Sequence, residues 1–544
     1  MKNISKFLFV VSAMAMTLGN FTSCDPEETL EPAPRLFRPS SILLESGGNW
    51  IQAVWLKIKG ATNYQLEISR DSFLTIDKTA ETTEPRYIFE DLQWDVTYQV
   101  RIKCIGEDIT SEYFVCEDVV VADFPTKLVN IATDDIIDNS VIVRWTNQTE
   151  PYTTLKVYTE SDSLVKTVTL TAEEYAVGSK VISGLSAGKD YKIMAFVGDE
   201  YLGKKRFTTK PAQDFGQNVI DLRSLIPDSA YTKLTQLFMD SVCNAYSGQK
   251  FTVVLDGGVK YKIPTLNVSK NVDIVITTGY SFAGNAIFVV NSNFGIMAAE
   301  TVNSITISNV IFIDGVDTGK KKTDPNYGGT YLFNFNQAGG NLNSLLLSGC
   351  DIRYKRGVVR LQTTATLNTV TIDNCLIDSI GGYGIVNIDN AASTVLDIVV
   401  KNSTISHADK IFVGSKPTIS PNSLTMENVT TCFSPSSNVY IADFNGKTVP
   451  GGITFKKCLL GMGKDAAGIN GVRSSSAPLT IDQCYRASDM IWYTAAGAAA
   501  PVSPLNDVLD CGLTTADLFA SPATINYKIT APSLVNKIGD PRWW

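Results

Sequence analysis

Between residues 300 and 490 a nine-residue phrase recurs in which apolar and polar positions alternate. "ITISNVIFI" begins at Ile305, "LLLSGCDIR" at Leu345, "VTIDNCLID" at Val370, "IVVKNSTIS" at Ile398, "LTMENVTTC" at Leu424, "ITFKKCLLG" at Ile453 and "LTIDQCYRA" at Leu479. A period of two is that of a strand with one buried face, so each phrase predicts a strand. The residue that ends the alternation is Asn309, Gly349, Asn374, Asn402, Asn428, Lys457 and Gln483 in turn, at spacings of 40, 25, 28, 26, 29 and 26 residues. Spacings of that order belong to solenoids and arrays. Second short runs such as "GVVRLQT", "GIVNIDN" and "NVYIADF" follow several copies, and no convincing helix intervenes. Strands of one orientation separated in this way stack into a parallel β-helix. A leucine-rich repeat would show a Leu-Asn signature that is absent here, and a propeller would need four strands per blade.

Stacking turns each position of the phrase into a column with neighbours about 4.8 Å apart. The Asn309, Asn374, Asn402 and Asn428 column falls at a turn, where side-chain amides would bond from coil to coil. The next column, Cys350, Cys375, Cys458 and Cys484, faces inward as small core filler; no CxxC pair accompanies it, and no metal site is expected. The outward column before the turn reads Ser308, Ser348, Asp373, Lys401, Glu427, Lys456, Asp482. Its signs alternate from Asp373 onward, which predicts a ladder of exposed ion pairs.

The first two hundred residues alternate differently, in short runs punctuated by turn residues: "IQAVWLKI", "NYQLEIS", "TYQVRIKC" and "EYFVCEDVVV". These predict antiparallel strands. Trp55 and the Leu92 to Tyr98 spacing in "LQWDVTYQVRI" resemble a fibronectin type III domain with its Trp core and tyrosine corner. Trp145 in "SVIVRW", then Leu185 and Tyr191 in "ISGLSAGKDYKIMAF", repeat the arrangement. Exposed indoles stack on sugars, but the place of Trp55 and Trp145 within alternating strands assigns them to cores. Between Ser229 and Tyr246 the period becomes helical, through Tyr231, Leu234, Leu237, Phe238, Val242 and Tyr246, with Gly248 as C-cap. The expected class is therefore all-β: two immunoglobulin-like sandwiches of the fibronectin type III kind, 34–123 and 124–212, then a right-handed parallel β-helix, 213–544, with an N-terminal capping helix at about 229–247.

The 544 residues are 44% hydrophobic and 19% charged, with a formal net charge of -8, so neither nucleic acid nor an anionic membrane surface is a favoured partner. Lys2 and Lys6 precede "FLFVVSAMAMTLG", which is too short to span a bilayer and fits a signal peptide over residues 1–23. It ends in "FTSC". Ser23 before Cys24 resembles a bacterial lipobox, which implies lipidation at Cys24, and "DPEETLEPAP" reads as an extended acidic tether over 24–33. The lipid would be the sole membrane anchor. Of the ten cysteines, Cys104 and Cys116 flank two strand-like runs and stand as a candidate disulfide in an oxidising exterior.

The long first interval marks an inserted loop, "DGVDTGKKKTDPNYGGT", carrying Lys320, Lys321, Lys322 and Tyr327. The coil after it, "CDIRYKRGVVR", supplies Arg353, Tyr354, Lys355, Arg356 and Arg360. Seven cations near two tyrosines would attract a polyanion, and uronate carboxylates suit arginine. A solvated loop with charged strand ends is the competing reading. No pectate lyase signature and no paired Asp with Gly-His-Gly is present, and the one histidine, His407, reads as a turn or surface residue.

The order of lipoprotein signal, two fibronectin-like modules, helix, β-helix and terminal "IGDPRWW" resembles Bacteroidetes surface lipoproteins whose pectate-lyase-like β-helices are classed as domains of unknown function. That resemblance implies an outer-membrane lipoprotein exposed at the cell surface within a glycan-utilisation system. It carries no catalytic residue. The expected function is binding of an extracellular polysaccharide, such as a pectin-like polyuronate, with outer-membrane glycan-uptake proteins as further partners. The alternatives are an atypical polysaccharide lyase or hydrolase, and a structural role in a surface assembly. No cofactor is expected, with calcium left open. Trp543 and Trp544 are expected to close the last coil or to stack on sugar.

Overall fold

The computed structural model describes residues 36–314, 329–535 and 537–544. Two compact units are formed, one from residues up to Ile131 with Val143–Lys180 and Asp190–Phe207, the other from Ala132–Ile142, Val181–Lys189 and Thr208–Trp544.

In the first sandwich, Ile42–Gly47, Trp50–Trp55 and Arg86–Phe89 make one antiparallel sheet. Lys78–Thr82, Asn63–Ser69, Thr97–Ile105, Phe114–Val115 and Val119–Val120 make the other. Alternation places Ile51, Ala53 and Trp55 in the core, and Trp55 is only 5% exposed, edge-on to Tyr64 at 5.1 Å. Tyr98 is buried, and its hydroxyl accepts from the Gln93 N–H at 3.2 Å, as a tyrosine corner requires. The following strands form a four-stranded sheet, ordered Leu164–Thr169, Thr154–Thr159, Asp190–Val197, Glu200–Thr208, and a pair, Ser179–Ser183 with Ser140–Arg144. Trp145 is 4% exposed and donates its indole N–H to the Tyr175 carbonyl at 3.1 Å. Both tryptophans are core residues.

The candidate disulfide is not formed: Cys104 and Cys116 are free, buried thiols. Register explains this. Arg101 lies opposite Val115 and Ile102 opposite Phe114, which sets Cys116 against Val100, where its N–H bonds to the Val100 carbonyl at 2.8 Å. Cys104 is four residues further along, roughly 13 Å in a strand. A disulfide needs Cα atoms within about 7 Å.

From Val219–Asp221 to Leu509–Asp510 the described strands form one continuous ladder, with parallel pairing from coil to coil, a β-solenoid of about nine turns. The phrase strands pair in the register their spacing implies, so Ile305, Leu345, Val370, Ile398, Leu424 and Ile453 form one buried column. Each fully buried aliphatic side chain contributes roughly 1.5–3 kcal/mol, so the repeat itself builds the core. Asp373, Lys401, Glu427, Lys456 and Asp482 likewise align, with ion pairs of 3.4 Å between Lys401 and Asp373 and 2.6 Å between Lys456 and Glu427.

The seven residues that end the phrase are all left-handed, with φ of 54° at Asn309, 63° at Gly349, 52° at Asn374, 48° at Asn402, 53° at Asn428, 51° at Lys457 and 53° at Gln483. Asn and Gly tolerate that conformation best, which accounts for the column's composition. The amide ladder is partial: Asn428 donates to Asn402 at 3.1 Å and Asn402 to Asp373 at 2.9 Å. A second corner follows on several coils, at Tyr354, Ser379, His407 and Phe433, with φ of 61°, 57°, 49° and 51°. Between the corners the Cys350 and Cys375 thiols point into the core, as do those of Cys458 and Cys484 on later coils, and burial pushes Cys375 and Cys458 upward, keeping them protonated.

The predicted helix is two pieces, Pro227–Tyr231 and Gln236–Ala245, because Thr235 turns the chain and caps the second by accepting from the Phe238 N–H. Met239, Val242 and Cys243 join the solenoid core, while Leu237 is 79% exposed and does not belong to the buried stripe. The terminal "IGDPRWW" also departs from expectation. It runs sideways over several coils: Gly539 N–H bonds to the Lys457 carbonyl, Asp540 N–H to Thr430, Trp543 Nε1 to Thr404 at 2.7 Å, and Arg542 to the Asn374 carbonyl. Trp543 is therefore a strap residue rather than a plug. Trp544 donates to the Ile538 carbonyl at 3.0 Å.

Candidate functional site

Of the residues singled out in the sequence, Cys24, Lys320, Lys321, Lys322 and Tyr327 lie outside the described residues. The remaining ligand-binding candidates, Arg353, Tyr354, Lys355, Arg356 and Arg360, sit on the strand Asp351–Leu361, and its corner sends them in different directions. Arg353 lies before that corner and is held by Asp351, with bonds of 2.7 and 2.6 Å. Tyr354 is the corner residue itself. Its left-handed φ reverses the alternation, so Lys355 enters the interior, aligned with buried Ile380. There its ammonium donates to the Ile313 carbonyl at 3.1 Å and to Thr330 at 3.3 Å. Lys355 is thus a core residue and is not available to a ligand on the surface.

Arg356 and Arg360 do meet, on the wall after that corner, and they meet around aromatic rings. Tyr331 and Tyr383 contact edge to face at 5.2 Å. The Arg360 guanidinium stands 4.9 Å from the Tyr331 centroid and 4.5 Å from that of Tyr383, while Arg356 stands 4.7 Å from Tyr383. Arg360 also donates to Asp389 at 3.0 and 2.5 Å, to the Tyr331 oxygen at 3.1 Å and to Gln362 at 3.0 Å. Burial opposes ionisation of Asp389, but hydrogen bonds from Lys416 and Arg360 outweigh it and hold its carboxyl below the usual range. Burial pushes the Tyr331 phenol up to about 12, so it stays protonated. Arg356 is exposed and has no ion-pair partner among the described residues. Gly357 makes the arrangement possible, since a Cβ there would lie 2.8 Å from Tyr383 Cβ and 3.3 Å from the Tyr331 ring. The site therefore offers the half-buried Tyr383, one exposed cation without an ion-pair partner among the described residues and a fixed Arg–Asp group, a combination suited to an anionic sugar.

Tyr331, Tyr383, Asp389 and Lys416 were not legible as site residues. They lie on neighbouring coils, and only the coil register brings them to Arg356 and Arg360.

His407 has a more defined setting than a surface turn. Its Nδ1 is 2.8 Å from Asp378, whose buried carboxylate also accepts from Ser406 at 2.6 Å and Ser379 at 2.8 Å. Its ring stacks on Phe433 at 4.8 Å. Among the described residues no group of three or more His, Cys, Asp or Glu is placed to hold a metal ion. No described helix is long and apolar enough to cross a membrane.

No protein-family model and no curated protein matches the chain. Solved structures do. The FN1–FN3 domains of chicken CNTN1 are similar at 18% identity, covering 33% of this chain and 68% of that one, with a TM-score of 0.16. A two-domain fibronectin type III segment of chicken tenascin is similar at 16% identity over 32% of this chain and 99% of that one, TM-score 0.17. The fibronectin type III domain of the human collagen alpha-1(XX) chain gives 16% identity over 18% and 93%, TM-score 0.15. The chain is an all-β protein that joins antiparallel β-sheets to a parallel β-helix.

Proposed function

We propose that this protein is a surface lipoprotein of the Bacteroidetes kind, lipidated at Cys24, that binds an extracellular polysaccharide through its β-helix. Within this reading the ligand is a pectin-like polyuronate, the setting is a glycan-utilisation system at the outer membrane, and glycan-uptake proteins are its neighbours. The observation that carries it is the Arg356, Arg360, Tyr331 and Tyr383 cluster, in which exposed Arg356 and half-buried Arg360 and Tyr383 gather around the buried Tyr331 ring. The sandwiches act as spacers. Asp95 takes Lys204 and Arg206, and Trp94, Phe124 and Tyr201 form an edge-to-face chain at 5.4 and 5.5 Å, contacts suited to a stiff stalk.

Affinity electrophoresis in gels containing polygalacturonate tests the reading. Retardation of the wild type, lost in an Arg356→Ala, Tyr383→Ala double variant, is the expected result. Equal mobility with and without the polymer would sink it. The catalytic alternative has one observation in its favour, the carboxylate-oriented His407. Incubation with polygalacturonate would reveal it by ultraviolet absorbance of unsaturated products, abolished in His407→Ala.

A further inference from the structure

The wall that carries the Arg356 cluster continues for several coils, and the same grouping of chemistry appears on it a second time. The register from coil to coil aligns Asn334, Arg360, Asn387, Val413, Asp443 and Arg473 in one column. Arg473 is in the position of Arg360, four rungs on. It forms a two-pronged pair with Asp443 at 2.9 and 2.7 Å, and its guanidinium lies 4.5 Å from the Tyr440 ring. Tyr440 precedes Ala442 by two residues as Tyr331 precedes Phe333, and Phe333, Val359, Val386, Phe412 and Ala442 are themselves one column. The rings are thus offset by the same four rungs as the arginines. Lys410 lines the same cleft as Tyr440, Asp443 and Arg473, a space of about 260 Å³, and no described carboxylate pairs with it. It supplies the free cation that Arg356 supplies in the first cluster.

Each cluster therefore has a tyrosine ring, an Arg–Asp pair lying on it and one cation left free. Coils are about 4.8 Å apart, so the two clusters are separated by roughly 19 Å along the solenoid axis. A pyranose in an extended chain is about as long as one coil spacing, and a polysaccharide lying along the axis would advance by one sugar per coil. We propose that Lys410, Tyr440, Asp443 and Arg473 form a second polyuronate subsite, and that a single chain lies along this wall and engages both clusters, about five sugars spanning them. The inference rests on the polyuronate reading above. In each cluster a half-buried tyrosine, Tyr383 in the first and Tyr440 in the second, lies against the sugar, the free cation pairs with a uronate carboxylate, and the Arg–Asp pair exchanges hydrogen bonds with ring hydroxyls. Linking two weak subsites through one ligand raises affinity without any new contact.

Isothermal titration of the full chain with trigalacturonate and hexagalacturonate tests this. The trimer is expected to bind at two sites per chain and the hexamer at one, with hexamer affinity higher by at least about tenfold. Tyr440→Ala and, separately, Arg473→Gln should reduce trimer binding to one site and abolish the hexamer's advantage; two variants with unchanged melting curves guard against a folding defect. Hexamer affinity equal to that of the trimer, or retained in both variants, would overturn the second subsite while leaving the first cluster's role intact. Absence of binding by either oligomer would overturn both.

Discussion

Single residues decide the corners of the solenoid. Gly349 has φ of 63°, and a Cβ there would come within 2.5 Å of Asn309 Oδ1. Gly349→Ala should therefore cost more than the about 1–2 kcal/mol of left-handed backbone alone, whereas Asn374→Gly, at φ of 52°, leaves the backbone unstrained and loses the Arg542 bond to Asn374 Oδ1 at 3.0 Å, so it should cost only about 1 kcal/mol. Urea midpoints of the two variants check this. Two buried carboxylates make opposite pH contributions. Asp378 is lowered: burial acts against its charge, but bonds from His407, Ser406 and Ser379 prevail. Its stabilisation is present above the unfolded value of about 3.9 and is lost as pH falls through its folded pKa. Asp540 is raised by burial, so it opposes folding above its folded pKa and that cost is relieved as pH falls toward its unfolded value. Melting temperatures measured from pH 3 to 7 should show Asp378→Asn destabilised at neutral pH with a flatter acid limb. Asp540→Asn should be stabilised at neutral pH with a steeper one.

At the scale of elements, the charge ladder ties neighbouring strands only weakly, because its members are partly exposed. Lys401 has a 41% exposed side chain beside Asp373, and such a pair is worth roughly 0.2–1 kcal/mol. Lys401→Glu sets three like charges in a row, because Asp373 and Glu427 flank Lys401 in register. The variant's melting temperature should fall modestly at low salt and recover in about 1 M salt, where screening shortens to about 3 Å. A deficit that persists in salt would point to packing rather than charge. The helix Gln236–Ala245 is fastened differently, by Gln236 accepting from the Asn267 N–H at 2.7 Å and donating to its carbonyl at 2.9 Å.

Across the whole solenoid, the carboxy-terminal strap covers a wall whose outward residues are polar yet buried, among them Thr404, Ser406, Thr430 and Asp378. Trp543 bonds to Thr404 and meets Tyr527 at 5.8 Å, so removal of residues 537–544 should uncover this wall without dissolving the coils. Hydrogen exchange is expected to accelerate at 404–406 and 430–432 in the truncated protein, with the Val370 and Ile398 strands still protected. Uniform acceleration would mean that the strap holds the entire ladder together.

The alternation of apolar and polar residues was enough to specify strands, their stacking and most of their register, because a one-residue slip would turn each buried column outward. The Asn and Gly residues of the first corner were legible for the same local reason, their tolerance of left-handed backbone. The second corner was not, since Tyr354, Ser379, His407 and Phe433 have no composition that announces a positive φ. That corner decides the site: it sends Lys355 inside and leaves Arg356 and Arg360 on the wall. Strand register likewise parts Cys104 from Cys116, and the path of the last residues turns Trp543 into a strap. The sequence alone determined the solenoid, because periodic burial is written locally. The tertiary structure decided which cations face a ligand, because the tyrosines and carboxylates that frame them come from other coils.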